Sequence, residues 1–194
     1  MGLVRIVGGE LRGRRLQVPD RGVRPTSERV REAVFDILGD AALRGARVLD
    51  LYAGTGAFGI EALSRGAATA EFVEGSRAVA VALVRNLKRL ALGDRARVVE
   101  ADLSRGTLPR GLEGPWGLVF LDPPYEGDAA ARWLAALETL AWPAGGGLIV
   151  LERRRGDLAL PAGLALLTER RYGDTVIGIY HAGPQTTALR GGGA

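Results

Sequence analysis

The 194-residue sequence has no cysteine, one histidine, one methionine and, among its 26 basic residues, a single lysine, Lys88. Without cysteine there is no disulfide, no thiolate-held metal and no thiol nucleophile, and the composition suits a cytoplasmic protein. The lone histidine, His181, has no cluster of partners in view, so a structural or surface role is expected of it, and no metal site is expected. Long apolar runs are missing too. None approaches the roughly 20 residues of a membrane span, and the N-terminus carries arginine and glycine rather than an apolar signal core, so neither a membrane nor export is expected.

What is present in excess is arginine. The bulk count reads as a coding preference for Arg, Ala and Gly, but its distribution is uneven. Eight arginines fall within residues 5–31, where Glu10, Asp20 and Glu28 are the only acids. Arginine stays charged and offers a flat fork suited to phosphate, so this segment suggests a polyanionic partner, with Arg5, Arg12, Arg14, Arg15 and Arg24 as candidate contacts.

Residues 1–24 carry short apolar pieces broken by Gly8-Gly9 and Gly13, which predicts a small β-hairpin or extended arm, too polar for a core of its own. Arg24-Pro25-Thr26-Ser27 then opens a helix, with Thr26 or Ser27 able to cap its first turn. Val30, Val34, Ile37 and Leu38 mark its buried stripe and Gly39 its stop. From residue 47, strands (47–52, 70–74, 97–100, 117–121, 147–151) alternate with helices (57–65, 77–92, 129–140). Segments 164–172 and 175–180 flank Gly173-Asp174, a two-residue hairpin signal. The expected fold is α/β: a doubly wound, Rossmann-like, mostly parallel seven-stranded sheet with a C-terminal antiparallel hairpin and a small N-terminal β arm. The chain divides into the arm (1–24), one domain (25–182) and a flexible tail (183–194).

The organising stretch is RVLDLYAGTGAFG at 47–59: a buried-strand pattern ending in Asp50 and Tyr52, a turn with Gly54, Gly56 and Gly59, then a helix start. Glycines let a ligand approach the backbone, and the helix start offers free N–H groups. The pattern G-x-G-x-x-G fits a dinucleotide, but Asp50 so close to the turn would repel a pyrophosphate. It suits the cationic amino-acid part of S-adenosylmethionine (SAM) instead. Two more carboxylates end strands at the same rim: Glu74, near the spacing that receives ribose hydroxyls, and Asp102, where an adenine amine can be met. A fourth strand end reads Asp122-Pro123-Pro124-Tyr125. Two prolines remove two donors and stiffen the turn, leaving a carboxylate, carbonyl oxygens and an aromatic face. That set suits an exocyclic NH₂ group on a stacked planar ring, held next to a methyl donor.

This combination resembles the class I SAM-dependent amino-methyltransferases, whose D/N-P-P-Y/F/W motif is DPPY here. More closely, it is similar to the bacterial 16S rRNA guanine-N2 methyltransferase D family, through RIVGGELRGRRLQVP (5–19), RPTSERVREAVFDIL (24–38), LDLYAGTGAFGIEALSRGA (49–67), FVE (72–74) and FLDPPY (120–125). The likeness runs from about residue 5 to 180. One departure is Glu-Gly-Ser at 74–76, where Glu-Lys/Arg-Asp is commoner. The resemblance implies methylation of one guanine N2 in 16S rRNA, naked or within a small ribosomal subunit, by a cytoplasmic enzyme, expected to be a monomer. SAM would be held by Asp50, Tyr52, Gly54, Gly56, Glu74 and Asp102, and catalysis carried by Asp122, Pro123, Pro124 and Tyr125. DPPY is shared with adenine-N6 enzymes acting on DNA or RNA, which form the alternative. An NAD-dependent oxidoreductase would use the glycine turn without DPPY, and a non-catalytic rRNA-binding factor would use only the arm.

Overall fold

The structure is a computed structural model and describes residues 2–19, 26–112, 114–125, 127–139, 146–156 and 158–182. Arg24 and the expected flexible tail lie outside the described residues.

The first apolar pieces pair antiparallel as β1 (Gly2–Arg5) and β2 (Arg15–Val18). Val4, Leu16 and Val18, with Ile6 just beyond β1, are buried in the main core of the domain. The arm thus shares a core with the domain, since so short a hairpin cannot build one.

Helix α1 (Glu28–Leu43) begins at Ser27, whose hydroxyl accepts the Val30 N–H at 3.3 Å. Gly39 interrupts it, ending the first helical run as expected, and a second short run follows. At φ 67° and ψ 166° this glycine kinks the helix, and the turn beyond it buries Leu43. A residue with a Cβ would be strained there. The buried stripe is also rotated: Ile37 is 38% exposed, while Phe35 and Arg31 are buried. Steps of four residues through 30, 34, 38 and through 31, 35 define the inner face, and 37 falls off it.

The main sheet contains β3 (Arg47–Leu51), β4 (Thr69–Glu74), β5 (Ala96–Glu100), β6 (Leu118–Leu121), β7 (Leu148–Arg154), β8 (Leu164–Tyr172) and β9 (Thr175–Ala182), in the order β5-β4-β3-β6-β7-β9-β8. Strands β3 to β7 are mutually parallel, and β9 runs antiparallel to both β7 and β8. Between strands lie α2 (Ala57–Ser64), α3 (Arg77–Arg89) and α4 (Ala129–Thr139). Strand residues alternate between two cores. Val48, Phe120 and Val150 join the cluster built with α1, α2, α3 and the arm, whereas Leu49, Leu51, Val119, Leu121 and Ile149 join Trp133, Leu134 and Leu137 of α4. The chain winds outward from β3 through β4 and β5, then returns to β3's other side as β6 and winds out through β7. A crevice opens at such a reversal, beyond the carboxyl ends of the strands. Among the described residues, no helix is long and apolar enough to cross a membrane.

Buried charge fastens the arm to this frame. Glu61 of α2 is fully buried and accepts the N–H groups of Val7 at 2.9 Å and Gly8 at 2.7 Å, together with Arg65 Nε at 2.9 Å. Arg31, equally buried, brings its Nε to 3.8 Å from Glu61 and donates to the carbonyls of Arg5 and, at 3.3 Å, Thr26. Removing one member of a buried pair strands the other. Glu61→Ala is therefore expected to lower unfolding free energy by about 3–5 kcal/mol. The checks are a lower urea midpoint and lost hydrogen-exchange protection at Val7 and Gly8.

Candidate active site

Strand β3 is buried from Val48 to its end, and the chain leaves it through a turn built on positive φ: Tyr52 at 59°, Gly54 at 54° and Gly56 at 77°, the last being the N-cap of α2. Backbone amides in this turn are held by the strand-end carboxylates. Asp50 Oδ2 accepts the Gly59 N–H at 2.9 Å, pulling the start of α2 onto the strand. Glu74 accepts Gly54 N–H at 2.9 Å and Ser76 N–H at 2.7 Å, so it fixes two loops at once. Gly59 is required for packing, because a Cβ there would lie 2.4 Å from the Phe72 ring and 3.1 Å from Asp50 Oδ2.

Asp50 is buried, and burial pushes its carboxyl up to about 8; the Gly59 N–H opposes the shift and nearby Glu74 adds to it. Tyr52 reaches the other way: its hydroxyl donates to the Leu103 carbonyl at 2.9 Å and accepts from Trp133 Nε1 at 2.9 Å. Asp102 is exposed at the same rim, with Ala101 N–H bonded to the Glu74 carbonyl at 3.1 Å. Its carboxylate accepts the Ser104 N–H and hydroxyl at 2.8 and 2.9 Å, which lowers its pKa.

Across the reversal, Leu121 lies opposite Leu51 in register, so Asp122 emerges beside Tyr52. Asp122 is half-buried, and burial, reinforced by the charges of Glu152 and Asp50, raises its carboxyl well above the ordinary range. Pro123 is buried and Pro124 exposed. Tyr125 is 38% exposed, and its ring is tethered by the hydroxyl, which donates to Glu152 Oε1 at 2.9 Å and lies 3.0 Å from Thr175 Oγ1. Burial and the adjoining carboxylate push this phenol up to about 12, against the Thr175 hydrogen bond, so it stays neutral.

The fold thus brings together Asp50, Tyr52, Gly54, Gly56, Glu74, Asp102 and the Asp122 loop. It does not bring the arm arginines with them. Arg12, Arg14 and Arg15 are exposed on a hairpin tied by Glu10 N–H to the Ser64 carbonyl and by Arg14 to the Arg89 carbonyl at 3.1 Å, at the C-terminal ends of α2 and α3. An α2 of 8 residues sets that end about 12 Å from the glycine turn. Arg5 pairs with Glu28 at 2.9 Å.

Sequence reading overlooked Glu152, although it comes directly after a run of apolar residues as Asp50 and Asp122 do. It is buried and also accepts the Thr26 hydroxyl at 2.8 Å, tying the start of α1 to Tyr125. Chemically, the crevice is a ring of carboxylate and carbonyl acceptors with an aromatic face. It favours a ligand that brings positive charge and N–H donors.

A family model described as "Conserved hypothetical protein 95" matches residues 4–181. The chain is 40% identical over 182 residues to "Ribosomal RNA small subunit methyltransferase D" of Escherichia coli (strain K12), covering 92% of this chain and 90% of the relative. The protein of the same name from Haemophilus influenzae is 35% identical over 175 residues, covering 89% and 90%. Among solved structures, the E. coli protein yhhF, provisionally described as a methyltransferase, superposes with a TM-score of 0.82 at 37% identity, over 95% of this chain and 100% of that one. A match of this extent, in sequence and in fold, means that the chain belongs to the family described as Conserved hypothetical protein 95.

Proposed function

We propose that this protein transfers a methyl group from SAM to the exocyclic N2 amine of a guanine in small-subunit rRNA. The observation that carries the proposal is the juxtaposition, across paired strands β3 and β6, of a glycine turn with a buried carboxylate and a rigid Asp-Pro-Pro-Tyr loop. The names of the E. coli and H. influenzae relatives support both the reaction and the rRNA substrate. The residues present suit SAM. Asp50 is a buried carboxylate with no cation paired to it among the described residues, and the turn beside it presents bare backbone at Gly54, while Gly56 is a glycine because a Cβ there would strike Leu83 at 2.4 Å. SAM supplies a methyl group on a positively charged sulfur that leaves readily.

Asp50 would face the cationic part of that ligand. Glu74 and Asp102 each keep lone pairs for ribose and adenine donors, while Tyr52 walls the turn. The target base must leave its stack, at a cost of a few kcal/mol. Tyr125, its ring fixed through the hydroxyl, would offset this by stacking, worth on the order of 1–3 kcal/mol. Asp122 and the Pro123 carbonyl would accept the amine N–H groups and aim the nitrogen lone pair. As the N–C bond forms and the C–S bond breaks, positive charge grows on nitrogen, and one amine proton leaves. Asp122, made more basic by burial and by Glu152, is suited to stabilise that charge and receive the proton. The arm arginines would bind rRNA phosphates away from the target base, positioning it without reading sequence. We place the reaction in the cytoplasm, on rRNA or a small subunit, with the protein acting as a monomer.

Labelled SAM offered to rRNA, small subunits and DNA in parallel, followed by nucleoside analysis, should yield N2-methylguanosine; N6-methyladenine would overturn the base assignment. Asp122→Ala should cut transfer by roughly 10²–10⁴-fold while calorimetry shows the demethylated donor still binding. Neutralising Arg12, Arg14 and Arg15 together should weaken rRNA binding and lower its log–log salt slope by about 2. Asp50 also sets a pH signature. Its carboxyl, near 8 in the free protein, falls when a cation binds beside it, so binding at pH 7 should release up to about one proton. Calorimetry in buffers of different ionisation enthalpy reads this release. It should vanish above about pH 9 and in Asp50→Asn.

A further inference from the structure

A second recess opens beside the Asp122 loop. It encloses about 370 Å³ and is lined by Pro123, Pro124 and Tyr125 together with Arg153, Arg154 and Arg155. The three consecutive arginines behave differently. Arg153 folds back on the chain, donating to the carbonyls of Arg154 at 3.1 Å and Gly156 at 2.8 Å and to Glu169 at 2.8 Å. Its charge is matched within the protein, and it shapes the turn that ends β7. The same turn is pinned by the pairing of Arg154 with Thr175 and by the Arg155 N–H on the Asp174 carbonyl at 3.0 Å.

Arg154 and Arg155 are exposed on this pinned backbone, and neither is paired with a carboxylate among the described residues. The one acid among the described wall residues, Asp128, is already matched by Arg132 at 3.1 Å. Two guanidinium groups with no carboxylate partner among the described residues therefore line a nucleotide-sized recess together with the ring of Tyr125. Guanidinium forks match phosphate oxygens, and a base lying on Tyr125 carries its own phosphodiesters within one nucleotide's reach.

We infer that the recess beside Tyr125 receives a phosphodiester flanking the target nucleotide, gripped by Arg154 and Arg155. The inference rests on the RNA-methylating function proposed above. It adds an anchor next to the reacting base, where the arm arginines do not reach.

The test is the double variant Arg154→Gln/Arg155→Gln, assayed for methyl transfer to rRNA across a salt series. The KM for rRNA should rise roughly tenfold, and its log–log salt slope should fall by about 1–2, with affinity for the demethylated donor unchanged. A neutral methylphosphonate beside the target nucleotide should raise the wild-type KM and add little in the double variant. A double variant with the wild-type KM and slope, or a methylphosphonate penalty that adds in full, overturns the clamp alone. A wild-type chain that transfers no methyl group to rRNA overturns the proposed function, and the clamp with it.

Discussion

The crevice depends on carboxylates that the fold leaves without a cation. Asp50 and Asp122 emerge from adjacent parallel strands and Glu152 from the next, and among the described residues none forms an ion pair. Burial raises the pKa of Asp122, and Glu152 and then Asp50 add to the shift. A folded chain tolerates such an arrangement when the surrounding core over-determines it. Here the four central strands and their two apolar layers do so. Positive charge arriving beside these groups would draw their pKa values down, whereas a pyrophosphate would push them further up.

Glu61 supplies the contrast. It is as buried as Asp50, yet its oxygens are met by two backbone amides and Arg65, with Arg31 close by. Saturated in this way, it holds β1, β2 and α1 against α2 and has no capacity left for a ligand. Two carboxylates at the same depth are thus saturated in one place and left without a cation, among the described residues, in the other. What distinguishes them is whether the protein provides the counter-charge. Glu152 lies between these cases: its hydrogen bonds come from the neutral hydroxyls of Tyr125 and Thr26, so it fixes geometry while keeping its charge directed at Asp122.

Much of this was legible in the sequence because the signals are local. Alternating apolar strands and amphipathic helices, the Gly54–Gly56–Gly59 turn, the DPPY loop and the Gly173-Asp174 hairpin each depend on residues close together in the chain, and all correspond to elements described in the structure. What was missed is long-range. Arg31 belongs by sequence to a basic segment, and only its meeting with Glu61, 30 residues later in the numbering, turns it into a buried strut. Glu152 gains its importance from Thr26, 126 positions away, and Tyr125, 27 away. Gly39 does break the helix as its chemistry suggests, but the second run beyond it, which buries Leu43, was not foreseen.

The charge layout also bears on what can enter the site. The chain has a formal net charge of +4, with exposed arginines on the arm and beside the recess, while the crevice itself is acidic. A polyanion is drawn to the surface over a distance of roughly 8 Å at physiological salt. Within the crevice, however, a phosphate would meet the acceptor oxygens of Asp50, Asp122 and Glu152, with no cation paired to them among the described residues to offset its own charge. The backbone must therefore stay outside, among the arginines. The part of a nucleotide that lowers its energy by going further in is a base, which is uncharged and brings N–H donors to the acceptors waiting there. Extrusion of a single amine-bearing base then follows from the opposition of a basic exterior and an acidic interior, with no need for the protein to pull on the base itself.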